Sequence, residues 1–211
     1  MATPKPQIKS TFATPLCTHF LPVANEVNVD LRALATQRFA VTASGAQEQG
    51  WRSETDFESW GGNAAQTLFR MVRELADAMT ATRSGGRVSL DWKIGACAVV
   101  RQKGEYGPLR PRAGAFWSGV YFVDDGYNKS DDVALGGEVE LVDPRGALPA
   151  MIAPQLAFRI PNGGNAGQME IIRPSSGMII LHPSWQPRGE RRYNGEGQRV
   201  TIEFDLSPPA A

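Results

Sequence analysis

The chain has 211 residues, with 22 Lys+Arg against 22 Asp+Glu, two cysteines and two histidines. That length can bury a full core, and the zero net charge gives no general attraction to nucleic acid or an anionic membrane. Cys17 and Cys97 are too few for a disulfide framework or a structural zinc site, and two histidines cannot build a histidine-rich metal centre. Met1 to Ala24 carries polar residues and prolines where a signal peptide needs an apolar run, and no later stretch approaches a membrane span. The expectation is one cytoplasmic domain over 1–211, with a helical layer over 1–86 and a β-sandwich core over 87–206. Asn28 is the expected cap of a short helix in which Leu31, Leu34, Ala35 and Arg38 share a face. Residues 50–62 read as a Gly- and Ser-rich loop holding Trp51 and Trp60. Ala65, Leu68, Phe69, Val72, Leu75, Ala76 and Met79 then recur at helical spacing and predict an amphipathic helix, stopped by Gly85-Gly86.

From Arg87 onward, branched and aromatic runs alternate with Gly, Pro and Asn clusters. The spacing predicts strands over 88–100, 115–123, 137–142, 155–160, 168–173, 177–182 and 198–206. Strands following helices suggest a double-sheet sandwich with the helices backing one sheet. The irregular stretch 124–136 carries Asp124, Asp125, Asp131 and Asp132 against Lys129, and reads as a solvated acidic loop. The Gly-x-Ser-x-Gly elbow is absent, and Gly136-Gly137 and Gly163-Gly164 lack a phosphate-loop lysine and a following helix.

Several blocks keep a common order. They are Phe12-Ala13-Thr14-Pro15-Leu16, Gly104-Glu105-Tyr106, Ser118-Gly119-Val120-Tyr121-Phe122, Asp143-Pro144-Arg145, Pro183-Ser184-Trp185, and Arg199-Val200-Thr201-Ile202-Glu203-Phe204-Asp205. Together they resemble a bacterial family of 2-oxoglutarate/Fe(II) oxygenases over nearly the whole chain. The resemblance implies a mainly β double-stranded β-helix, the jelly-roll or cupin-like fold, with N-terminal helices on one sheet. It also implies Fe(II) and 2-oxoglutarate as cofactors, and makes a homodimer plausible.

At the family's His-x-His and distal histidine positions this chain has Arg110, Arg112 and Arg188. A facial Fe(II) site needs lone pairs from imidazole or carboxylate. A guanidinium stays protonated and offers none. Neither a metal ligand nor a catalytic residue is therefore assigned, and neither cofactor is expected. His182, just before Pro183-Ser184-Trp185, is read as a structural histidine, with a ligand role in a rearranged site as the alternative. His19, Glu140 and Asp143 do not restore a site. By resemblance Arg199 would pair with the distal carboxylate of 2-oxoglutarate; the alternative is a strand arginine paired with Glu140 or Glu203.

If the family geometry holds, Arg110, Arg112, Arg188 and Arg199 meet at one cavity mouth. Two guanidiniums about 6 Å apart repel by roughly 3 kcal/mol at an effective dielectric near 20, so the cluster needs something to oppose it. In the first reading the pocket has filled in, neutralised by the acidic 124–132 loop or the 138–143 strand. In the second it takes a small anionic ligand: an oxoacid, a phosphorylated metabolite or an acidic peptide. The function expected is a catalytically degenerate family member with an Arg-lined anion site. The alternatives are an active oxygenase with an unusual ligand set and a homo-oligomeric interaction protein.

Overall fold

The computed structural model of the chain describes residues 7, 11–45, 48–146, 153, 156 and 169–209. In chain order the elements are β1 (Cys17–Phe20), α1 (Ala24–Thr42), β2 (Trp51–Arg52), α2 (Phe57–Trp60), α3 (Gly62–Ala78), β3 (Lys93–Arg101), β4 (Gly107–Arg110), β5 (Trp117–Asp124), a 3-10 turn (Val133–Leu135), β6 (Val139–Val142), β7 (Met169–Ile172), β8 (Met178–Pro183), β9 (Arg188–Glu190) and β10 (Arg199–Ser207). Two antiparallel sheets form. The major sheet runs β1-β8-β5-β10-β3-β2 and the minor sheet β4-β9-β6-β7. This is the double-stranded β-helix that the motif blocks imply.

Alternation along β10 organises the layers. Val200, Ile202, Phe204 and Leu206 belong to a core shared with the helices, among them Leu31, Ala35, Leu68, Phe69, Val72 and Ala76. Side chains of a strand alternate between faces, so Arg199, Thr201 and Glu203 turn the other way, toward the minor sheet. Ala96 and Ala98 on β3 are small and fully covered, which leaves room for α3 against the sheet. There Phe69 meets Phe204 edge-on with ring centres 6.5 Å apart. Between the sheets lies a second, smaller core of Val120, Phe122, Val139, Leu141, Met178 and Ile180. One part of the inter-sheet space is therefore apolar. The rest is charged, and it is there that the arginines gather.

Several boundaries differ from the sequence expectation. α1 begins at Ala24 rather than at Asn28 and carries no side-chain cap. Its buried residues Val27, Leu31 and Ala35 set its extent, and Asn28 instead accepts a hydrogen bond from the Tyr121 hydroxyl at 2.6 Å. α3 ends at Ala78, well before Gly85-Gly86, and Gly86 closes a separate turn with Thr82. Asp77 accepts from the Leu90 amide at 3.1 Å and from Trp92 Nε1 at 2.8 Å, so the segment expected to start a strand at 88 is held on the helix until Lys93. The expected 50–62 loop contains β2 and α2. The strand expected over 155–160 lies, apart from Leu156, outside the described residues.

Candidate functional site

Six strands and the segment after β4 supply the charged space between the sheets. β3 and β10 are direct neighbours, and Arg101 stands opposite Arg199 and Cys97 opposite Glu203. β5 and β8 place Ser118 opposite His182. The minor sheet contributes Arg188 and Glu190 from β9. Arg52 reaches in from β2, and Arg112 follows β4, held by its amide donating to the Ser184 carbonyl at 2.8 Å.

Like charges on adjacent strands are destabilising unless something bridges them. Two buried carboxylates do so. Glu203 Oε1 lies 3.2 Å from Arg101 Nη2, and Oε2 lies 2.8 Å from Arg52 Nη2 and 3.2 Å from Arg188 Nη2. Arg112 Nη2 also donates to Oε2. Glu190 is 3.0 Å from Arg101, 3.2 Å from Arg188 and 3.9 Å from Arg199. Burial alone would raise the Glu203 carboxyl. The guanidiniums of Arg188, Arg52, Arg101 and Arg112 overcome that and hold it well below the ordinary value. Arg52, Arg101, Arg112, Arg188 and Arg199 thus bring five positive charges against the two carboxylates Glu190 and Glu203. For Arg112, burial comes first and the neighbouring Arg188 and Arg52 add to it, so its pKa is lowered despite Glu203.

Arg199 sits in a cage. Its guanidinium is 4.8 Å from the ring centres of both Tyr127 and Tyr193 and 5.9 Å from that of Phe122. Nε donates to the Asp125 carbonyl at 3.0 Å, and Nη1 donates to the Gly137 carbonyl. Gly137 has φ +76°, and a Cβ there would run into the same guanidinium, so both backbone and space require glycine. Arg110 stands apart. It is exposed and, among the described residues, makes no ion pair, although its Cα is in register with that of Arg188. The expected meeting of four arginines is therefore a meeting of Arg112 and Arg188 at Glu203. Arg199 lies behind Glu190, and Arg110 lies outside.

The neutralising groups are not the expected ones. Asp124 pairs with Arg32 at 2.8 Å, Asp125 accepts from Ser176, and Asp132 caps the 3-10 turn. Glu138 is 3.8 Å from Arg173, and Glu140 pairs with Arg191. Neither the acidic loop nor the 138–143 strand opposes the cluster. Glu190 and Glu203 do; Glu203, expected as a possible partner of Arg199, pairs with Arg52, Arg101, Arg112 and Arg188 instead, and Arg199 lies 3.9 Å from Glu190. One signal was available: Arg199, Thr201 and Glu203 share a parity opposite to the apolar residues of the same strand.

The space left among these side chains is about 10 Å³, bounded by Arg52, Arg101, Gly107, Pro108, Arg112, Arg188, Gly189, Glu190 and Glu203. That is room for about one water. His182 is fully buried beside it. Nδ1 lies 3.0 Å from the Pro183 carbonyl, and Nε2 has no hydrogen-bond partner among the described residues. Burial and then the charge of Arg188 push its pKa down to about 3, leaving a neutral imidazole. This donor set does not suit Fe(II). One imidazole faces a positive field, and Glu203 is committed to four guanidiniums. Among the described residues no group of three His, Cys, Asp or Glu is placed to hold a metal ion. Cys97 does not help, because burial raises its thiol to about 11 while its sulfur accepts from Arg52 Nη1 at 2.7 Å.

Comparison with solved structures places this fold among oxygenases. AviO1 from Streptomyces viridochromogenes matches with TM-score 0.61 and 15% identity, over 94% of this chain and 91% of its own. A Trichoplax adhaerens prolyl hydroxylase, in complex with a hypoxia inducible factor peptide fragment, matches at 0.61 and 10%, over 92% and 83%. A Pseudomonas putida prolyl-4-hydroxylase matches at 0.57 and 12%, over 92% and 88%. At such identities the likeness is one of fold. The profile of the family described as "Putative 2OG-Fe(II) oxygenase" matches residues 96–205, more than half of the chain, and the chain belongs to that family. No curated protein matches it.

Proposed function

We propose that this chain is a catalytically degenerate member of the 2-oxoglutarate/Fe(II) oxygenase family, in which a buried arginine–glutamate cluster stands where the iron chemistry would be. The carrying observation is that Arg112 and Arg188, at two of the family's histidine positions, both turn onto Glu203. Lone-pair donors have given way to cations, and the carboxylate at hand is consumed in neutralising them. Arg110, at the third such position, faces outward. Two buried or half-buried guanidiniums would make a cation costly to place here.

The same charges make an anion welcome. Five guanidiniums outnumber Glu190 and Glu203, with Asp205 opposing Arg112 from beyond ion-pair distance, so positive charge is in excess and a small anion at the cluster is the ligand the electrostatics favour. Arg112 and Arg188 would contact it, and Arg199 would add its charge from behind Glu190. The test is a pair of measurements on the full chain. Thermal melts in sulfate, phosphate or citrate should rise above chloride at equal ionic strength, following RT ln(1 + [L]/Kd). Incubation with Fe(II) and 2-oxoglutarate should release no succinate above background. Equal melts in every salt would remove the anion reading. Enzyme-like turnover, about 1 per second or more, would remove the degeneracy.

A further inference from the structure

Glu203 cannot satisfy every guanidinium around it. Its Oε2 accepts hydrogen bonds from Arg52 at 2.8 Å and from Arg112, which fill its roughly two lone-pair positions. Arg188 Nη2 lies 3.2 Å from the same oxygen as an ion pair without a hydrogen bond. Other donors nearby are poorly used. Arg188 Nε is buried without a hydrogen-bond partner among the described residues, on a side chain only 4% exposed. Arg52 Nη1 rests on the Cys97 sulfur at 2.7 Å, a weak neutral acceptor. Arg52, Arg112 and Arg188 border one cleft, floored by Gly107 and Gly189. A Cβ at position 107 would come within 3.1 Å of Arg101 Nη2, and one at 189 within 3.0 Å of the Leu109 backbone. Close packing therefore requires glycine at both positions. Two of the three arginines reach solvent, with side chains 31% and 19% exposed for Arg52 and Arg112.

We infer that this cleft receives a doubly charged phosphoryl group, held by Arg52, Arg112 and Arg188 at its mouth, with the rest of any larger molecule outside. The inference rests on the anion reading above and narrows it. The space inside admits about one water, so a larger anion stays at the mouth, where the two partly exposed side chains can swing aside for a compact tetrahedral head. Charge favours a dianion over a monocarboxylate, because it offsets more of the positive excess. Geometry agrees, because several terminal oxygens can each take a guanidinium edge. Arg52 would exchange a thiol for a charged acceptor, and Arg188 would gain a partner for its buried Nε.

Isothermal titration of the full chain in chloride buffer of constant ionic strength tests this, with inorganic phosphate, phenyl phosphate, sulfate, citrate and acetate as probes. Phosphate or phenyl phosphate should bind about ten-fold or more tightly than citrate or acetate, with sulfate following as the same shape and charge. Tighter phenyl phosphate marks an esterified head group as the ligand, and tighter inorganic phosphate marks the free ion. Phenyl phosphate loses its second charge near a pKa of about 6, so its affinity should fall below that pH while that of sulfate holds. Arg52→Gln should weaken phosphoryl binding about ten-fold with an unchanged circular dichroism spectrum. If that variant does not fold, Arg112→Gln carries the same requirement. Citrate binding more tightly than the phosphoryl probes would overturn the inference while leaving an anion site. Unchanged phosphoryl affinity in a folded variant would also overturn it. Failure of every anion to exceed chloride would end both readings.

Discussion

Glu203 is the residue on which most of the buried charge depends. Removing its charge leaves Arg101 and Arg188, each under 5% exposed at the side chain, to share Glu190 alone, and takes from Arg52 and Arg112 the carboxylate they pair with. Breaking a buried pair from one side costs about 3–5 kcal/mol, so Glu203→Gln should lose that much in chemical denaturation. A loss below about 1 kcal/mol, the scale of an exposed pair, would contradict the geometry. His182 makes a second prediction. Its folded pKa is depressed from 6.5 to about 3, so the native state stays unprotonated where the unfolded chain takes up a proton. Stability from this group is complete above pH 6.5 and falls as the pH drops toward 3. Between pH 6.5 and 5 the loss should be about 2 kcal/mol. Glu203, whose carboxyl is held below 4.5, adds its own loss only below that value. His182→Phe should flatten the limb between pH 6.5 and 5. An unchanged slope in the variant would place the proton uptake elsewhere. The burial of His182 was legible from its place on a strand facing the core. Glu203 was legible only as a possible partner of Arg199 on its own strand; its actual partners Arg52, Arg101, Arg112 and Arg188 come from other strands and segments, which the sequence does not bring together.

At the scale of elements, β5 and β10 form the middle of the major sheet, and Gly119 on β5 has no room for a side chain. A Cβ on Gly119 would lie 2.5 Å from both the Ile180 carbonyl and the Phe204 ring. Gly119→Ala should therefore destabilise the protein by about 1–3 kcal/mol through overpacking, measured as a lower denaturation midpoint. A neutral effect would mean that β5 and β8 can part without cost. Elements with strong periodicity were readable. α3 was predicted from its apolar stripe, and β5, β8 and β10 from their branched and aromatic runs. Short strands were not. β9 is only Arg188–Glu190, whose charged side chains face an interior that supplies opposite charge. No hydrophobic pattern could announce it. β1, β2 and β4 are two to four residues long, and they gain their strand character from a neighbour's ladder rather than from their own composition. Asn28 shows the converse: a good capping residue lies within α1 because the apolar stripe continues past it.

The whole molecule combines the double-stranded β-helix scaffold with a charged interior. Helices over one sheet, a second sheet facing it and a small apolar core between them follow from alternation and from the order of the motif blocks, so the architecture could be read before any coordinates. The charge balance of the interior could not, because it depends on which carboxylates cross from one sheet to the other. Glu190 and Glu203 lie far from Arg101 in sequence; the pairing of β3 with β10 brings Glu203 to 3.2 Å from it, and the facing minor sheet brings Glu190 to 3.0 Å. The described helices include none long and apolar enough to cross a membrane. The central claim is that arginines have displaced the iron chemistry of the family. It is tested most directly by elemental analysis of the full chain purified in the presence of Fe(II). The account predicts iron far below one atom per chain, unchanged in His182→Phe. About one iron per chain, lost in that variant, would show a rearranged metal site and contradict it.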